Sequence, residues 1–94
     1  MNSLEQRILL INFMKIVHST VRIRRINGYA SSDFKWAMSK YAETLTRAKG
    51  LPGSFSYIVQ DFALVYDALE RDNMHMLAYS VNKIAKKFDI EPIK

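Results

Sequence analysis

Cysteine is absent, and the 94 residues include only three glycines, two prolines and one tryptophan. Without cysteine there is no disulfide framework and no thiolate metal site. No Gly-rich phosphate loop and no nucleophile elbow occurs. Long apolar runs are missing as well. The nearest is ILLINFM, residues 8–14, which contains Asn12 and is closed by Lys15. A membrane-spanning helix needs about 20 apolar residues, so no span is expected. The same stretch fails as a signal peptide, because no small-residue cleavage site follows it. A cytoplasmic, soluble chain is the expectation.

Apolar residues nevertheless make up 49% of the chain and are spread along its whole length. That composition suits a folded core and excludes disorder. The length suits one domain, 1–94, near the small end of the range, where self-association adds stability. The net charge is +5, and it is skewed. Arg7, Lys15, Arg22, Arg24, Arg25, Lys35, Lys40, Arg47 and Lys49 in the first half face only Glu5, Asp33 and Glu43. The second half is close to neutral. Such asymmetry points either to an acidic partner or to two halves that pack on each other.

Periodicity and caps predict an all-α bundle of four helices, about 4–24, 32–49, 55–71 and 74–88. Ser3-Leu4-Glu5-Gln6 has the form of a capping box. Behind it Leu10, Met14, Val17 and Val21 recur at helical spacing, with Leu9 and Phe13 beside them. Ser31 or Ser32 begins the second helix, whose stripe is Phe34, Met38, Tyr41, Leu45 and Ala48. Gly50 is expected to end it in a left-handed conformation. Ser54 or Ser56 caps the third helix, with Phe55, Ile58, Phe62, Val65 and Leu69 inward. Asp72 or Asn73 caps the fourth, with Leu77, Val81, Ile84 and Phe88 inward, and Pro92 closes the chain. Asn27-Gly28 is also a hairpin signal. A hairpin needs a second alternating run, however, and YASSDF does not alternate, so a tight corner between two helices is expected.

Three groups of residues carry the functional reading. Arg22, Arg24 and Arg25 sit at the end of the first helix, where cations suit the exposed carbonyls and could also hold a phosphate or carboxylate. Trp36 falls opposite the buried stripe of its helix, grouped with Lys40, Glu43 and Arg47. Tryptophan and arginine are enriched at interface hot spots, and an aromatic ring among cations also stacks on bases. Trp36 is therefore the expected anchor, with Lys40, Arg47, Tyr29, Arg22, Arg24 and Arg25 around it. Leu4, Ile8 and Ile11 form a second apolar strip on the first helix. A helix apolar on two sides is either central in its bundle or shared with a second subunit, and a homodimer contact is the favoured reading.

The remaining chemistry is thin. His18 and His75 have no partner at metal-ligand spacing, and Asp61, Asp67, Glu70 and Asp72 are expected to face basic helices or solvent. VNKIAKKFDI, residues 81–90, resembles the first helix of a helix-turn-helix, but a recognition helix has to follow it and only EPIK does. No cofactor and no enzymatic activity is expected. The leading expectation is a regulator, inhibitor or adaptor that docks on an acidic protein surface. The alternative is a nucleic-acid or nucleotide-binding protein using the same face, helped by Lys83, Lys86 and Lys87.

Overall fold

The computed structural model describes residues 3–90, with side chains from Leu4 onward. The Ser3 side chain, on which the capping box rests, is not among those described, and Pro92 lies outside the described residues. Four α-helices follow one another: α1 (Ser3–Asn27), α2 (Ser32–Ala48), α3 (Ser56–Glu70) and α4 (Met74–Phe88). A 3-10 turn, Gly53–Phe55, precedes α3, and no strand occurs among the described residues. The chain is an all-α four-helix bundle.

The helix ends explain the corners. α1 runs to Asn27, one turn past its expected end, because Gly28 adopts φ +94° and its N–H reaches the Arg24 carbonyl at 2.9 Å. A left-handed glycine stops a helix in this way. Asn27-Gly28 therefore ends a helix and turns no hairpin, and the Asn27 amide donates to the Asp33 carboxylate at 2.8 Å. Ser31 is the cap of α2, its Oγ accepting the Phe34 N–H at 3.1 Å. Asn73 caps α4, accepting the Met76 N–H at 3.0 Å.

Two ends differ from expectation. Gly50 is not left-handed, since Gly28 is the one glycine of positive φ among the described residues. α2 instead tightens through Gly50 N–H to Arg47 and Leu51 N–H to Ala48 carbonyls, both at 3.1 Å. These are 3-10-type bonds, which need no positive φ. The N-cap position of α3 is Phe55, with no side-chain cap. The preceding 3-10 turn opens the helix, and the Ser56 hydroxyl donates back to the Gly53 carbonyl at 2.7 Å.

The core forms where the four inward stripes meet. α3 packs against α1, α2 and α4, so it is the central helix, and α1 also packs along α2. Gln6 of α1 donates to the Tyr57 hydroxyl near the start of α3, while Arg24 reaches Asp72 just past its end. α1 and α3 therefore run parallel, and the helices alternate up and down. Leu10, Phe13, Val17 and Thr20 form the buried side of α1, with Met14 and Val21 only partly covered. Phe13 stacks on Phe62 at 4.7 Å between ring centroids, 11° from parallel. The fully buried Tyr41 of α2 donates its hydroxyl to the Phe62 carbonyl at 2.6 Å. Asp61 is buried as well, and Lys87 of α4 answers it at 3.0 Å.

Burial pushes the Tyr41 phenol far above the ordinary tyrosine range. Tyr66 is raised too, by burial first and then by the charge of Glu70, its hydrogen bond and the charge of Asp67. The unfolded chain gains phenolate near the usual value of about 10, whereas the folded chain resists it. Stability should therefore hold below about pH 10 and fall as the pH rises above it. Denaturant melts at increasing pH check this, and ultraviolet titration should show Tyr41 ionising only on unfolding. Tyr41→Phe should cost about 1 kcal/mol in urea unfolding, the worth of one buried hydrogen bond. It should also weaken the alkaline loss.

Candidate interaction face on α1 and α2

A tryptophan on the polar side of an amphipathic helix has no core to enter. Trp36 is 63% exposed. The Lys40 ammonium lies 5.6 Å from its ring centroid, within cation–π range. Lys40 also faces Glu43 at 3.5 Å, and Glu43 bonds Arg47 at 2.7 Å. The four residues thus form one chain of contacts along α2. The Arg47 hydrogen bond, then the charges of Lys40 and Arg47, hold the Glu43 carboxyl below its ordinary range.

Towards α1, Trp36 and Lys40 border a shallow cleft of about 210 Å³. Ile16, Ile23 and Ala37 give it an apolar floor, and Lys15 stands on the opposite rim. Arg22 is exposed one turn beyond Ser19, another lining residue, so it continues the Lys15 side of α1. Neither Lys15 nor Arg22 makes an ion pair among the described residues. An aromatic ring, an apolar floor and uncommitted cations therefore share one surface.

The other arginines do not join it. Arg24 bonds Asp72 at 2.5 Å, clamping α1 to the α3–α4 turn. Arg25 lines a separate cleft between α1 and α4, with Val21, Met74 and Val81. Successive helical residues differ by about 100° in direction, so Arg24 points away from Arg22, and Arg25 lies on the α4 side of Arg22. A run in sequence is not a cluster in space. Tyr29 is also elsewhere: its ring lies 5.5 Å from Phe34, and its hydroxyl donates to the Glu70 carbonyl. That places it on the α3 flank of α2, away from Trp36.

Leu4, Ile8 and Ile11 are 66%, 51% and 47% exposed. α1 is not central, so the four helices leave this strip open, and the exposed Ile26 lies on the same outward side near the other end of the helix. Sequence reasoning passed over Ile26, and also Tyr79, the most exposed large apolar side chain among the described residues. The signal for Tyr79 was available: it falls off the Leu77–Val81–Ile84 stripe and one turn from Lys83. No helix among the described residues is long and apolar enough to cross a membrane. Comparison with protein-family models, curated proteins and solved structures finds no match.

Because the Leu4–Ile8–Ile11 strip stands outside the monomer core, Ile8→Glu should change unfolding stability by less than about 0.5 kcal/mol. If the strip joins two subunits, the same substitution should move sedimentation velocity from dimer to monomer.

Proposed function

We propose that this chain is a small, non-enzymatic interaction protein, a regulator, inhibitor or adaptor, that docks on the acidic surface of another protein through the outer face of α1 and α2. The observation that carries the reading is Trp36, exposed beside Lys40 and across a cleft from Lys15. Trp36 is the anchor. Lys15, Lys40 and Arg22 steer and orient an acidic partner, which is what rim charges do at protein interfaces. Arg47 is tied to Glu43 and contributes through that pair. Arg24 serves the fold, and Arg25 and Tyr29 belong to other surfaces. A homodimer through Leu4, Ile8 and Ile11 leaves the Trp36 side accessible, since the strip occupies the other half of α1.

A nucleic-acid reading has one specific observation behind it. Tyr79, Lys83 and Lys86 recur at helical spacing on α4, a helix with no acidic residue, and all three are exposed. Lys87 is not part of that stripe, because it is committed to Asp61. α4 lacks the cleft with an apolar floor that adjoins Trp36 between α1 and α2, and the protein-docking reading is preferred.

The test is affinity capture with wild-type and Trp36→Ala chains, with and without nuclease. The reading expects a protein that is retained after nuclease and at moderate salt, and is lost with Trp36→Ala. On the purified pair the substitution should cost about 2 kcal/mol or more, as an interface anchor does. Folding stability should move by less than about 0.5 kcal/mol. Trp36 emission should be that of a wet indole in the free chain and shift to the blue on binding. Capture abolished by nuclease, with affinity falling steeply in salt, would instead establish the nucleic-acid reading.

A further inference from the structure

At the end of the bundle where the α1–α2 corner meets the last turn of α3, a second cleft opens on the other flank of α2. Its volume is about 540 Å³, within the range of small-molecule sites. The walls are Tyr29 from the corner, Phe34 and Met38 from α2, and Tyr66 from α3. Each aromatic wall is held from behind. Tyr29 is fixed by its hydroxyl on the Glu70 carbonyl and by its ring against Phe34. Tyr66 lies edge-on to the buried Tyr41, with centroids 5.3 Å apart. A cleft with fixed walls loses little freedom when it is filled.

Two opposite charges line this apolar cleft, Lys35 from α2 and Glu70 from α3. They do not pair with each other, and Lys35 makes no ion pair with any described residue. The Glu70 carboxylate is close enough to Tyr66 to raise its phenol, and a carboxylate can accept from several donors at once. Opposite charges that share a site without neutralising each other complement a ligand carrying both. A simple cation would be repelled by Lys35, and a simple anion by Glu70.

We propose that the cleft binds a small zwitterion with an apolar body, of the class of the aromatic and large aliphatic amino acids. Its ammonium lies at Glu70, its carboxylate at Lys35, and its side chain against Tyr29, Phe34 and Tyr66. The site lies on the opposite flank of α2 from Trp36, so it stands independently of the docking face.

The experiment is nuclear magnetic resonance titration of the full chain, following the Ala30 and Ser39 amides. L-phenylalanine and L-leucine are the probes, with phenethylamine and 3-phenylpropanoate as controls that each lack one charge. The expected result is saturable binding of at least one amino acid and about tenfold weaker binding of each control, the worth of one charge-assisted contact. Lys35→Ala and Glu70→Gln should each weaken the amino acid by a similar factor, while Trp36→Ala leaves it unchanged. Lys35 is an exposed side chain without a described ion-pair partner, so its substitution reports on binding and not on folding. Absence of saturable binding by either amino acid up to about 10 mM, well above useful affinities, would overturn the proposal. So would phenethylamine binding as tightly as phenylalanine, or Lys35→Ala tightening the complex.

Discussion

Phe62 of α3 is where three helices are tied together. Its ring stacks on Phe13 of α1, and its carbonyl accepts the hydroxyl of Tyr41 from α2. The first contact is apolar and contributes in proportion to the area removed from water. The second satisfies a phenol that would otherwise be buried without a partner, at a cost of several kcal/mol. Together they place α1 and α2 on the same side of α3, packed along each other. Everything exposed on α1 and α2, including Trp36 and the Leu4–Ile8–Ile11 strip, is exposed because the inward sides of both helices are consumed there.

The charge skew of the chain is resolved partly inside the bundle. Arg24 of the basic half is spent on Asp72 of the other half, and Lys87 is spent on Asp61 within the second half. The Arg24 clamp holds an uncommon backbone. Asp72 has φ 54°, a left-handed conformation that aspartate tolerates better than most residues. The Tyr29 hydroxyl on the Glu70 carbonyl adds a second tie at the same end. The α1–α2 corner is thereby locked to the α3–α4 turn. Among the described cations left without an ion pair, Lys15 borders the Trp36 cleft, Lys35 the cleft against α3 and Arg25 the cleft against α4, while Lys83 and Lys86 share a stripe with Tyr79.

α2 is used on three sides. Phe34, Met38, Tyr41 and Leu45 enter the core, Trp36 and Lys40 face outward towards α1, and Lys35 with Ser39 faces the cleft against α3. One amphipathic helix can do this because a turn of 3.6 residues offers more directions than the core requires. A docking face and a small-ligand cleft can therefore coexist on one helix without sharing a side chain.

Helical periodicity, polar caps and the apolar stripes determined the all-α class, the order of four helices and most of the core, because these are local properties of the chain. Every residue read into the stripes of α2, α3 and α4 is buried except Phe88, which is only partly so. Ala37, Val59, Asp61, Ala68, Ser80 and Ala85 are buried beside them. The outward direction of Trp36 was readable as well, since it follows from spacing along a single helix. Gly50 and the start of α3 were misjudged, since a helix can also be ended or begun by 3-10 bonds that leave no mark in residue type. Which cations are free was decided only by the tertiary structure. Arg22, Arg24 and Arg25 look alike in sequence, but Arg24 meets Asp72, 48 residues away, and no local pattern encodes that meeting. The same holds for Lys35 and Glu70, which become two ends of one cleft only because the packing around Phe62 brings α2 and α3 side by side.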